Sequence, residues 1–75
     1  MKRYKNSSQS GITYYAVGKD FFEVKFKEYP VIYIYKNSRC GKNNIDKMKI
    51  LAEQGRGLAT YISQHPEVRD NYEIR

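Results

Sequence analysis

Cys40 stands between Arg39 and Lys42 in the run Asn37-Ser38-Arg39-Cys40-Gly41-Lys42-Asn43. Cations beside a thiol favour the thiolate, the form that attacks electrophiles, so this is the residue best placed for covalent chemistry. A working nucleophile also needs a base within reach and a group to orient that base. The one histidine, His65, sits beside Pro66, and nothing in its spacing ties it to Cys40, so it reads as structural or solvent-facing. One cysteine cannot form an intramolecular disulfide, and one cysteine with one histidine cannot close a zinc site. Gly41-Lys42 matches the end of a phosphate-binding loop, but Asn43 replaces the required Ser or Thr and Lys36 stands where the first glycine belongs. The carboxylates Glu23, Glu28, Glu53, Glu67, Asp70 and Glu73 alternate with Lys or Arg as on a solvated surface. No catalytic motif, metal site or cofactor site follows, and the chain reads as non-catalytic.

Charge and rings are more informative. The net charge is +6, and Lys2, Arg3 and Lys5 near the start, with Lys36, Arg39, Lys42, Lys47 and Lys49, carry essentially all of the excess. Such asymmetry suits a polyanion. A helix beginning at Asn43 would add backbone N–H donors beside Lys42, an arrangement able to hold one phosphate. The chain also has eight tyrosines and three phenylalanines, enough aromatic surface to build a small core and still offer rings for stacking.

The elements that position these residues are organised around Asp20 to Lys36, DFFEVKFKEYPVIYIYK, which reads as a hairpin of two β-rich runs split at Pro30. Phe22, Val24 and Phe26 alternate with Glu23, Lys25 and Lys27, the period of a strand with one buried face. An earlier strand, from Ile12 to Val17, joins it through Gly18-Lys19, the chemistry of a type II′ turn. That turn sets Tyr15 opposite Phe22 and Thr13 opposite Val24, and it leaves Tyr14 outward. The second connection, Glu28-Tyr29-Pro30, is expected to be a three-residue loop, because that length buries Ile32 and Ile34; a two-residue loop would bury Tyr33 and Tyr35 instead.

Residues 37–43 are expected to form a loop that leads to a helix capped by Asn43, with Asp46 as the capping-box acid and Ile45, Met48, Leu51 and Ala52 on one face. Ile50 points away from that stripe. Gly55 ends the helix; Gly57 begins a second, with Leu58, Tyr61 and Ile62 inward, which His65-Pro66 stops. Pro66 can open a last helical turn holding Val68 and Tyr72. The expectation is an α+β fold, a three-stranded antiparallel β-meander followed by two or three short helices on one face, β-β-β-α-α. Residues 1–11 read as a mobile basic arm anchored by Tyr4, and residues 12–75 as one domain. The expected core is Phe22, Val24, Phe26, Ile32, Ile34, Met48, Leu51, Leu58 and Ile62.

The order of elements, with Ser7-Ser8, Val17-Gly18-Lys19-Asp20, Tyr33-Ile34-Tyr35, the stretch from Leu51 to Ile62 (LAEQGRGLATYI) and Tyr72, resembles the KTSC family of small domains. Residues 37–43 are longer than the tight Val-Pro connection of that family. The family occurs alone and appended to some lysyl-tRNA synthetases, so the resemblance implies a nucleic-acid setting; it supplies no catalytic residues.

Two readings of function follow. In the first, the chain binds nucleic acid, RNA or single-stranded DNA. Lys36, Arg39, Lys42 and Lys47 would meet the backbone, while Tyr14, Tyr33 and Tyr35 stack from an open sheet face beside Lys25. In the second, the tyrosine-rich face or Ile50 is covered by a protein partner or a second copy of the chain. No run approaches the roughly 18 apolar residues of a membrane span, and the basic start has no apolar signal core, so a reduced cytoplasmic setting is expected, with no membrane partner.

Overall fold

Phe21–Phe26 forms the middle strand of a five-stranded antiparallel sheet. The computed structural model describes residues 1–5 and 11–75. The strands are β1 (Lys2–Arg3), β2 (Ile12–Val17), β3 (Phe21–Phe26), β4 (Ile32–Lys36) and β5 (Tyr72–Ile74), hydrogen-bonded in that order. Between β4 and β5 run α1 (Asn37–Cys40), α2 (Lys42–Gln54), α3 (Leu58–Gln64) and α4 (Pro66–Arg69), and their buried residues pack with those of one sheet face. The fold is α+β, and the expected meander is its central part, widened by a strand on each side.

The β2–β3 hairpin turns one residue later than the Gly18-Lys19 chemistry suggested, which shifts the cross-strand register by two. Val17 pairs with Phe22 and Tyr15 with Val24, and Gly18 N–H donates to the Phe21 carbonyl at 3.0 Å, so Lys19 and Asp20 occupy the turn. The facing survives, because the change preserves the alternation: Tyr15, Phe22 and Val24 are buried. Gly18 is needed for another reason. A Cβ there would overlap the Phe21 ring, which lies over the bare backbone. At the far end an irregularity between Ile12 and Tyr14 turns Ile12 into the core and leaves Thr13 to donate its hydroxyl to the Lys25 carbonyl.

The β3–β4 register overturns the expected one. Phe22 lies opposite Tyr35, Val24 opposite Tyr33, and Lys25 opposite Ile32. The loop therefore spans residues 27–30, an even number, and Tyr33 and Tyr35 face the helices while Ile32 and Ile34 face away beside Lys25 and Glu23. The cost of burying tyrosines is met by rings packing edge-to-face: Tyr33 contacts Phe26 at 5.1 Å and Tyr72 at 4.7 Å between centroids. The isoleucines remain half-buried on the other face, where Arg75 crosses β4 to pair with Glu23 at 2.9 Å. Of the expected core, Phe22, Val24, Met48, Leu58 and Ile62 are buried and Phe26 and Leu51 pack against them, while Ile32 and Ile34 lie outside it.

Residues 37–43 form no loop. Asn37–Cys40 is a turn of helix running directly from β4, and Gly41, at φ +93°, breaks it before α2 begins at Lys42. Gly41 and not Asn43 is the N-cap, and no side chain caps it. Tyr72 also leaves the helical turn expected for it and starts β5, with Val68 alone buried in α4. Lys2 and Arg3, expected in a mobile arm, pair with Tyr15 and Tyr14. Residues 6–10 of that arm, including Ser7 and Ser8, lie outside the described residues.

Tyr4 joins this edge to the helices. It is 0% exposed, its ring meets Tyr15 edge-on at 6.4 Å, and its hydroxyl accepts the Leu58 backbone N–H at 3.3 Å. Because α3 has no side-chain cap of its own, a residue from the other end of the chain supplies one. Tyr4→Phe keeps the ring but strands a buried donor, so it should cost about 1–3 kcal/mol. Tyr4→Ala should cost more, about 3–5 kcal/mol, by opening a cavity. Urea unfolding with an unchanged slope checks both; a Tyr4→Phe midpoint equal to wild type would show that the hydroxyl caps nothing.

Candidate functional site

The face away from the helices carries one row of residues across the whole sheet. Arg3 pairs with Tyr14, Tyr14 with Lys25, and Lys25 with Ile32, while Ile32 and Arg75 exchange backbone hydrogen bonds of 2.9 and 3.4 Å. Directly opposed residues share a face, so one ring and three cations line up across five strands. Tyr14 is 42% exposed, and Arg3 and Lys25 make no ion pair among the described residues. Arg75 is committed to Glu23, whose side chain is nearly buried in the middle strand.

The expected site residues are distributed over three places. Tyr14 and Lys25 are cross-strand neighbours, as the open-face reading requires. Lys36 lies on the same face at the end of β4, where it and Arg39 share the Glu73 carboxylate at 3.3 and 3.9 Å. Lys42 pairs with Asp46 one helical turn on, at 2.7 Å, and that hydrogen bond holds the Asp46 carboxyl below its usual range. Lys47 is exposed on α2, off the face defined by buried Ile45, Met48 and Ala52. Lys42 and Lys47 are thus apart from the sheet row.

Tyr33 and Tyr35 leave the open face altogether. With Phe26, Tyr29, Tyr72, Ile62 and Arg69 they line an apolar pocket of about 200 Å³ on the helix side. Tyr35 is 2% exposed, and burial pushes its phenol well above the ordinary value, with Cys40, Tyr33 and Tyr72 adding to the shift. The pocket depends on β5, and the spacing of Val68 and Tyr72, which suits a helical turn, gives no sign of that strand.

Cys40 is not the activated thiol that its flanking cations suggested. It is buried, donates to the Asn71 carbonyl at 3.5 Å, and burial raises its pKa against the lowering effects of the Lys36 backbone and Arg39. His65 is held elsewhere: its ring stacks on Tyr61 at 3.9 Å and its Nδ1 lies 2.7 Å from the Tyr61 carbonyl, which can only accept. Among the described residues no cluster of His, Cys, Asp and Glu is placed to hold a metal, and no helix is long and apolar enough to cross a membrane. The chain matches no family model, no curated protein and no solved structure.

Cys40 and Tyr35 both hold their protons more tightly folded than unfolded. Their contribution to stability is therefore complete below the unfolded values, about 8.5 for the thiol and 10 for the phenol, and falls as pH rises through them. Stability should decline from about pH 8.5 upward, Cys40→Ala should flatten the first part of that decline, and a thiol reagent at pH 8 should label the native chain far more slowly than the urea-unfolded one. Equal labelling rates would show an accessible thiolate.

Proposed function

We propose that this chain is a small, non-catalytic, KTSC-like binding module that takes single-stranded nucleic acid, RNA or DNA, across the open face of its sheet. The observation that supports this reading is the row Arg3, Tyr14, Lys25, Ile32 and Arg75. Its members stand about 4.8 Å apart from strand to strand, with a flat ring for a base and cations on either side for phosphates. Lys36 and Arg39 extend the positive charge along the end of β4, with one unit of it offset by Glu73. Lys42 and Lys47 would act only through the general field of a chain with net charge +6. A cytoplasmic setting suits a chain whose one cysteine is a free buried thiol.

A second reading, contact with a protein partner or another copy of the chain, draws on Tyr29, Tyr72 and Ile74, large apolar side chains left exposed around β5. Salt separates the two. Polyanion affinity should fall linearly on a log-log plot with about 0.7 of slope per phosphate neutralised on a single strand, whereas an apolar protein contact should be nearly indifferent.

Anisotropy of labelled single-stranded RNA and DNA at two salt concentrations tests the reading. Tyr14→Leu should lose about 1–3 kcal/mol of binding. Lys25→Gln should lower the salt slope by about one phosphate contact, and Arg39→Ala with Lys42→Ala should weaken binding less than Lys25→Gln does. Wild-type affinity in Tyr14→Leu, with the fold intact, ends the stacking part of the reading; salt-independent association with a larger species on sizing favours the protein contact.

A further inference from the structure

We propose that the free edge of β5 is an interface for a second copy of this chain, the two β5 strands pairing antiparallel so that both sheets run on as one. Ile32 and Arg75 exchange both of their backbone hydrogen bonds. In an antiparallel ladder such pairs alternate with pairs that exchange none, so Ile34 bonds with Glu73, while Tyr33 with Ile74 and Tyr35 with Tyr72 do not. The N–H and C=O groups of Tyr72 and Ile74 therefore point away from β4, and they have no partner among the described residues.

That spacing suits a twofold axis through Glu73. It sets Tyr72 of one copy opposite Ile74 of the other, twice over, and each such pair can exchange both backbone hydrogen bonds. Tyr72 and Ile74 lie on the helix side of the sheet, opposite Tyr35 and Tyr33. They are 40% and 57% exposed, and in the paired state each covers the other copy's apolar side chain. The axis also brings the two Glu73 residues together, but each carboxylate already lies between Lys36 and Arg39 of its own chain, at 3.3 and 3.9 Å.

The two edges of the sheet differ in a way that selects this occupant. β1 consists of Lys2 and Arg3, exposed cations of the kind that keep a second strand away from an edge. β5 has no lysine, proline or bulge. Its surroundings are close to neutral, because Glu73 answers one of its two cations, Arg69 pairs with Asp70 and Arg75 with Glu23. Lys2, Arg3 and Lys25 make no ion pair among the described residues. Two chains of net charge +6 thus approach with least repulsion at β5, whereas an acidic peptide would be drawn to the uncompensated cations over β1 to β3. This supplies the occupant and geometry that the second reading leaves open, and it stands whether or not the open face takes nucleic acid, since β5 is the edge farthest from Arg3 and Tyr14.

Three residues a side make a contact far smaller than a standard interface of about 1,600 Å², so the dimer is weak and concentration-dependent. Sedimentation of the whole chain, without nucleic acid, from about 10 μM to 1 mM should show the mass rising from one copy toward two. Salt should not weaken this association, although it weakens oligonucleotide binding. Hydrogen exchange over the same range should show the Tyr72 and Ile74 amides becoming protected. Ile74→Pro removes an outward N–H from each copy and no bond to β4, so it should weaken the dimer at least about tenfold and leave the monomer folded. Ile74→Lys, which arms this edge as β1 is armed, should do the same and decides the matter if the proline disturbs β5. A chain that stays monomeric throughout, a dimer whose Tyr72 and Ile74 amides still exchange freely, or one undiminished in both variants overturns the proposal. So does protection of those amides in a monomeric chain only when a peptide of alternating Val and Glu is added, which would give the edge to a different partner.

Discussion

Pairing of Lys25 with Ile32 sets what each side of this molecule presents. Strand side chains alternate with a period of two, so one residue more or less in the β3–β4 loop would move every residue of β4 to the other face. With residues 27–30 in the loop, Tyr33 and Tyr35 join Phe22 and Val24 under the helices, and Ile32 and Ile34 join Glu23 and Lys25 outside. The pocket and the open row are thus two consequences of one register. Neither could exist in the alternative, where the isoleucines would fill the space beside Phe26 and the tyrosines would stand over Glu23.

A chain this short removes only about 60% of its unfolded surface from water, and it has no disulfide to restrict the unfolded state. Its rings do more than fill volume. Tyr15 stacks on Phe22 and meets Tyr4 edge-on, and Tyr4 then carries the edge strand across to the backbone of α3. Seven residues of helix are too few to hold themselves in water, so α3 depends on Leu58 and Ile62 entering the core and on a cap from the far end of the sequence. Sheet edge and helix start are fixed together or not at all.

What could be read from the sequence was periodic and local. The alternation in Phe21–Phe26, the stripe Ile45, Met48 and Ala52, the stop at Gly55 and the helix opened by Pro66 all lie in single elements whose neighbours in sequence are their neighbours in space. The misjudged features needed partners from elsewhere. Branched aliphatics were preferred inside β4 because a lone tyrosine carries a hydroxyl to satisfy, but these tyrosines are not alone: Tyr72 reaches both of them from β5, at 4.7 and 6.5 Å. The activated Cys40 failed in the same way, since its neighbouring cations were legible and its burial was not. Of the expected open-face site, Tyr14 and Lys25 lie on that face because their place depends on β2 and β3, whose facing is insensitive to a register shift of two.

The open face is less uniformly cationic than its residue types suggest. Arg75 and Glu23 neutralise each other, and Glu23 is nearly buried, so a phosphate that drew Arg75 away would leave an unpaired carboxylate inside the sheet. Lys36 and Arg39 share Glu73, which leaves one net charge between them. Arg3 and Lys25 are unpaired among the described residues, and they flank Tyr14 on adjacent strands. The uncompensated charge and the exposed ring therefore fall on the same side of the sheet, over β1 to β3. On the proposed reading a single strand would be centred there, with Ile32 and Arg75 as a shoulder toward β5.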